Sequence, residues 1–300
     1  MPGKYRYITF YMRIQLTVPA DFSFQETLSA HGWRRLLPFV WREETQTLER
    51  AEELASGDVV LLKISATEEE VVVDVQGDGD QADITRRVRR MLQLDLPLSG
   101  FHAFCLSRPE LAHLAQCKRG RMLRCSTLFE DALKVIATSN TTWAQTIAMT
   151  ARLVEHFGAP WPQAPHLHAF PTPQQIAAVP FDTFAAKARM GYRSAYVYAI
   201  ATRIADGSLD LESWQEEALA AGALQKRLLS LPGIGPYGAA CLMLYLGKPE
   251  HVNADSWARM LLGKELGRPV TDKDVHAFFA DYGPWRGLVY NFYPWSETPS

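Results

Sequence analysis

The passage Leu231-Pro232-Gly233-Ile234-Gly235-Pro236 constrains this chain of 300 residues more than any other. Helix-forming residues run from Ala223 to Ser230, stop at Leu-Pro-Gly-Ile-Gly and resume at Pro236, whose fixed φ and missing N–H suit the first turn of a helix. Two glycines allow a tight turn, so the passage predicts a helix-hairpin-helix. Without Cβ atoms at 233 and 235, backbone N–H groups can approach a phosphate near the positive end of the following helix. Such a contact grips DNA without reading its sequence. Taken alone, a Pro-Gly-x-Gly turn also fits a plain helix–helix connection. Val252-Asn253-Ala254-Asp255 adds to it, because it puts an acid at the start of the next helix.

Helices are expected throughout this part of the chain. Ile84, Val88, Met91 and Leu92 begin a helical periodicity, and helices are expected at about 109–117, 126–138, 141–157, 182–189, 192–205, 213–230, 236–247, 254–266 and 272–281. The Pro-rich run from Gly158 to Pro165 reads as a surface connection. Before residue 80 the pattern differs. Tyr5–Leu16, Asp58–Ile64 and Val71–Val75 are rich in β-branched and aromatic residues, and Asp78-Gly79-Asp80 breaks the last of them. The expected fold is α+β: an N-terminal antiparallel β-sheet domain over residues 1–83, followed by a mostly α-helical domain over 84–300.

A DNA partner has to be reconciled with a net charge of −2. The distribution does so. Residues 1–42 hold 6 basic and 2 acidic side chains, residues 43–83 hold 2 and 13, and residues 84–300 hold 23 and 18. Acid is concentrated in one stretch, expected to face away from DNA, and the remainder is mildly basic. No apolar run is long enough for a membrane span, and the N-terminus lacks the apolar core of a signal peptide, so a cytosolic protein is expected, nucleoid-associated in a bacterium or nuclear in a eukaryote. Cys105, Cys117, Cys125 and Cys241 form no CxxC pair and read as reduced thiols. Arg86-Arg87-Val88-Arg89-Arg90 and Lys118-Arg119-Gly120-Arg121 read as solvated faces, and His166-Leu167-His168 lacks a third metal ligand.

The hairpin followed by Asp255 resembles the helix-hairpin-helix DNA glycosylase superfamily (HhH-GPD), in particular 3-methyladenine DNA glycosylase II and 8-oxoguanine DNA glycosylase. Phe129–Asn140 is similar to the helix and Asn-bearing turn that fills the gap left by a flipped base in the latter. Gly191-Tyr192-Arg193 looks like their segment in which Tyr wedges the base stack and Arg faces the unpaired partner base. Asp21–Leu28 is similar to the start of the 3-methyladenine enzymes. The resemblance implies that Asp255 is catalytic, that Asn140, Tyr192, Arg193, Gly233, Ile234 and Gly235 contact DNA, and that the hairpin can bind a monovalent cation through the backbone of Leu231 and Gly233. It implies no other metal and no cofactor. The iron–sulfur cluster of endonuclease III relatives is not expected, since no cysteine follows Cys241.

Several positions depart from the pattern. Members that also nick the strand carry a Lys two residues after the last hairpin glycine. That position is Tyr237, and a phenol forms no imine, so hydrolysis without lyase activity is expected. Lys248, at the far end of the following helix, reads as an ordinary solvated lysine. The Arg expected five residues beyond Asn140 is Gln145, and Tyr290 stands where a Gln reads the base edge in 8-oxoguanine enzymes. An aromatic at 237 matches enzymes acting on alkylated purines, whose cationic base is attracted to electron-rich rings. Trp143, Cys241, Trp257, Trp285 and Tyr290 are expected to complete that base pocket. The expected activity is hydrolysis of the N-glycosidic bond of a flipped, alkylated purine in double-stranded DNA by a monomer, with Asp255 stabilising positive charge on the sugar. An 8-oxoguanine enzyme with a divergent pocket and a non-catalytic lesion-binding protein are the alternatives.

Overall fold

Alternation of buried and outward residues builds the N-terminal sheet: Val71, Val73 and Val75 turn inward, and Ile14 and Leu16 on a neighbouring strand do the same. The structure is a computed structural model that describes residues 11–294 apart from positions 216, 218 and 253. Tyr5–Phe10 of the first expected strand and Asn253 lie outside the described residues. Strands β1 (Tyr11–Thr17), β2 (Val40–Arg42), β3 (Thr47–Glu53), β4 (Val59–Ala66) and β5 (Glu70–Gln76) form one antiparallel sheet ordered β1-β5-β4-β3-β2. Helix α1 (Phe24–Ser29) lies between β1 and β2 in the chain. The pattern changes at Asp80, whose carboxylate accepts from the Ala82 and Asp83 amides and starts α2 (Gln81–Met91).

Helices follow: α3 (Ser99–Leu106), α4 (Ala112–Gln116), α5 (Leu128–Thr138) and α6 (Trp143–Phe157), then α7 (Pro173–Ala177), α8 (Phe181–Ala188) and α9 (Arg193–Ala205). The last group is α10 (Ala221–Leu229), α11 (Pro236–Tyr245), α12 (Ser256–Leu266), α13 (Asp272–Ala280) and α14 (Arg286–Phe292). None of the described helices is long and apolar enough to cross a membrane. One apolar core runs from the sheet (Ile14, Val73) through Phe101 and Leu133 to Leu242 and Phe279.

Several elements differ from expectation. β3, Thr-Leu-Glu-Arg-Ala-Glu-Glu, has the low strand propensity of charged residues, yet pairing overrides it: Glu49 bonds Arg42 on β2, and Glu52 bonds Arg50 and Arg87. The Pro-rich run forms a small hairpin, β6 (Pro160–Trp161) with β7 (Ala164–His168). It closes so tightly that a Cβ on Gly158 would lie 1.9 Å from the Ala169 carbonyl oxygen. The helix expected at 213–230 is divided into a 3₁₀ turn, Glu212–Gln215, and α10. Helices α3, α7 and α14 were not expected; each is short, and α3 (Ser-Gly-Phe-His-Ala-Phe-Cys-Leu) carries too few polar residues to show a helical face.

The basic runs are not merely solvated. Arg87 turns inward to Glu52 (2.6 Å) and Asp83 (2.9 Å), Arg90 to Asp131 (2.8 Å), and buried Arg121 donates to the carbonyls of Gln93, Asp21 and Leu96. Part of the acidic stretch is therefore neutralised in place: Glu49, Glu52, Asp74 and Asp83 all carry arginine partners.

Candidate active site

Leucines on α10 and at the turn bury the hairpin's base, with Leu228 and Leu231 inside the core. The Ile234 amide donates to the Leu231 carbonyl at 3.1 Å and Ile234 itself is buried, so the turn is anchored from within. Gly233 sits at φ +81°, in the left-handed region, and a Cβ there would come within 2.6 Å of the Tyr196 ring. Gly235 is the N-cap of α11, with Pro236 as its first residue. A Cβ on Gly235 would meet nothing within 4 Å, so that side of the hairpin is open.

Asp255 caps α12, accepting the Ala258 amide on Oδ1 at 2.7 Å. The Tyr290 hydroxyl, from α14, donates to the same oxygen at 3.4 Å. Both tie Oδ1, whereas among the described residues nothing bonds Oδ2. Tyr237, the second residue of α11, stands beside Thr138 of α5 and Cys241 one turn onward. Neighbouring Cys241, burial and the Asp255 charge push the Tyr237 phenol well above its ordinary value, and burial followed by the Asp255 charge does the same at Tyr290. Burial pushes the Cys241 thiol up to about 12. The phenols of Tyr237 and Tyr290 and the Cys241 thiol, all neutral, thus stand near one carboxylate.

The opposing wall comes from the α5–α6 turn and the start of α9. Asn140 is exposed at φ +47°, a left-handed conformation that asparagine tolerates better than most residues. Arg193 holds it there. Its guanidinium, 7% exposed, donates to the carbonyl of Asn140 at 3.0 Å and, through Nε at 3.1 Å, to that of Ser139. This corrects the expectation that Arg193 faces a partner base: its side chain is consumed by the turn backbone. Tyr192, in contrast, is 54% exposed, lies over the Arg193 guanidinium at 4.6 Å and meets Tyr196 edge-on at 5.9 Å.

These walls enclose a cavity of about 900 Å³ to which Asp255, Tyr237, Asn140, Tyr192, Gly233, Ile234 and Gly235 all contribute. Other expected pocket residues lie elsewhere. Cys241 and Tyr290 stand behind Tyr237 and Asp255 rather than on the cavity wall. The Trp143 ring packs on Gly32, where a Cβ would fall 2.4 Å from it. Trp285 packs on Phe101 with ring centroids 5.7 Å apart, beside Gly100, and Trp257 lies on the outer side of α12, 39% exposed. The glycines facing the two packed tryptophans create those slots, which a search for aromatics near the motif does not detect. Gln145 is engaged locally, accepting from Thr141 at 2.6 Å, and Lys248 follows the far end of α11. Residues that sequence reasoning missed are Thr138, Tyr196, Ser256 and Arg259. Tyr196 and Arg259 were findable, each being four residues past a singled-out position on the same helix face.

Comparison with known proteins bears on the family and the fold. Residues 133–288 match the family described as HhH-GPD superfamily base excision DNA repair protein. A probable N-glycosylase/DNA lyase of Methanothermobacter thermautotrophicus is 23% identical over 239 residues, spanning 71% of this chain and 74% of that protein. Among solved structures, the apo 8-oxoguanine glycosylase/lyase of Clostridium acetobutylicum superposes with a TM-score of 0.73 at 19% identity, covering 95% of this chain and 98% of that one. The 3-methyladenine DNA glycosylase of Archaeoglobus fulgidus superposes with a TM-score of 0.70 at 20% identity, covering 94% and 97%. At such identities the likeness is one of fold.

Proposed function

This chain belongs to the HhH-GPD superfamily of base excision DNA repair proteins, and on that premise we propose that it is a monofunctional DNA glycosylase that removes an alkylated purine from duplex DNA and leaves an abasic site. The observation that carries this reading is Tyr237: the cavity holding Asp255 and the hairpin presents a phenol, not an amine, beside the carboxylate. The hairpin amides and the α11 N-terminus hold the phosphate backbone. Tyr192 enters the base stack as the damaged nucleotide leaves it, and Asn140 occupies the gap. Tyr237, Tyr192 and Tyr196 offer electron-rich faces at the cavity, which suit a cationic alkylated base already activated for departure.

As the C1′–N bond lengthens, positive charge grows on the sugar. The Asp255 carboxylate stabilises that charge through Oδ2, while the Ala258 amide and the Tyr290 hydroxyl fix the group through Oδ1. Water completes the hydrolysis, its proton accepted by the carboxylate or released to solvent. No covalent enzyme–DNA species forms, because Tyr237 cannot make an imine.

A lesion panel tests this reading. Duplexes carrying 3-methyladenine, 1,N6-ethenoadenine, hypoxanthine or 8-oxoguanine are incubated with the protein and abasic sites are then cleaved with alkali. Strand breaks are expected with at least one alkylated purine, only after alkali, and borohydride should trap no adduct. Asp255→Asn should retain DNA binding and lose about 10²-fold or more in turnover. A borohydride-trapped adduct contradicts the monofunctional reading, excision of 8-oxoguanine alone contradicts the substrate class, and release of no base contradicts the enzyme.

A further inference from the structure

Positive charge is scarce around the Asp255 cavity. Among the described residues that line it, Arg259 alone carries a cationic side chain. A nucleotide turned out of a duplex brings a phosphate on each side, and both need donors away from the helical stack. The hairpin amides supply one wall with donors. The part of the lining formed by the first turns of α12 has Arg259. It lies four residues beyond the N-cap Asp255, and the two residues line the same cavity. The Arg259 side chain is 37% exposed and is held by Asp272, the first residue of α13, which is itself 60% exposed. An ion pair this open is weak and exchangeable, whereas a planar guanidinium facing phosphate can form two parallel hydrogen bonds.

We propose that Arg259 is a phosphate clamp for the flipped nucleotide, aimed at the cavity rim by Asp272 in the free protein and handed from that carboxylate to a DNA phosphate on binding. The proposal rests on the glycosylase reading for the flipped nucleotide. It makes Arg259 a binding residue for the extruded state, not a general DNA contact, and makes Asp272 its competitor.

Equilibrium binding tests it without requiring turnover. Two duplexes are compared over a range of salt concentrations, one undamaged and one carrying a tetrahydrofuran abasic analogue that is readily extruded. Arg259→Ala is expected to weaken binding to the abasic duplex about ten-fold, to change binding to undamaged DNA much less, and to reduce the slope of log K against log salt by about 1 for the abasic duplex. Asp272→Ala breaks the same link between α12 and α13 but leaves the guanidinium free, so abasic affinity should hold or rise with an unchanged slope. Equal losses in the two variants would mean that the ion pair acts through the fold, and would overturn the clamp. Equal weakening of both duplexes by Arg259→Ala, or no weakening, would overturn it too. If the expected pattern appears in a protein that excises no base, the enzymatic reading fails and the clamp stands.

Discussion

His31 shows how one residue can be legible as a letter yet opaque in its role. Nothing in its surroundings in the sequence marks it, but Nδ1 accepts the Trp33 amide at 3.2 Å, Nε2 is buried without a partner, and the ring packs between Trp33 and Tyr245 at 5.1 and 5.4 Å. Accepting at Nδ1 requires the neutral ring, and burial lowers its pKa from 6.5 to about 4. The unfolded chain therefore takes up the proton first as pH falls. Stability attached to His31 is complete above pH 6.5 and is lost on the way down to pH 4, by up to about 3 kcal/mol. Asparagine at 31 can offer an acceptor to the Trp33 amide without titrating. His31→Asn should therefore flatten the denaturant-unfolding free energy between pH 6.5 and 4, and the same slope in both proteins would refute the assignment. The positions of Asp255 and Tyr237 beside the hairpin could be read from the motif spacing, and the structure places both on the hairpin's cavity. Arg193 was misread, because whether an arginine beside an exposed tyrosine faces out or folds under its own turn depends on carbonyls 53 and 54 residues away.

At the scale of the element, the hairpin was legible because its chemistry is local: glycines where the backbone needs them, and a proline where the helix restarts. Its two glycines serve different ends, which the sequence alone does not separate. Gly233 answers to the fold, with φ +81° and the Tyr196 ring 2.6 Å from a would-be Cβ. Gly235 has free space, so its missing Cβ matters toward whatever approaches from outside. Gly233→Ala should cost about 1–2 kcal/mol from the backbone alone, more with Tyr196 displaced, and weaken DNA binding as the turn shifts. Gly235→Ala should leave the thermal midpoint within about 2 °C and still weaken binding, since its methyl group would stand between the amides and a phosphate. Unfolding curves and DNA titrations on the two variants check this. Normal DNA affinity in Gly235→Ala would remove the hairpin from the interface. Elements without such local chemistry were missed: β3 is a strand because of its neighbours' arginines, and α14 is a helix of about two turns packed on the core.

Over the whole molecule, the sequence predicted a break in pattern near residue 80, which is where α2 begins, but not how the sheet and the helices are joined. The join is ionic as well as apolar. Buried Arg50 on β3 meets Glu130 on α5 at 3.0 Å and Glu52 at 2.6 Å, and Glu130 also takes Lys134 at 2.8 Å. All four side chains are at most 3% exposed. Burial alone would raise the Glu130 pKa, but Arg50 and Lys134 outweigh it and bring it down to about 2. No local pattern announces such a site, because Glu130 and Lys134 occupy positions that read as ordinary helix surface until the sheet covers them. Removing one charge leaves the others uncompensated in low dielectric, at a cost of about 3–5 kcal/mol. Because Arg50 and Glu130 come from opposite sides of the join, and the apolar core is continuous across it, that cost should fall on the molecule as a whole. Glu130→Gln should lower the thermal midpoint in a single transition, with the far-ultraviolet signal of the helices and the fluorescence of Trp33 and Trp41 in the N-terminal part lost together. Two separated transitions, or the loss of one signal while the other persists, would show that sheet and helices fold as independent units joined only at their surfaces.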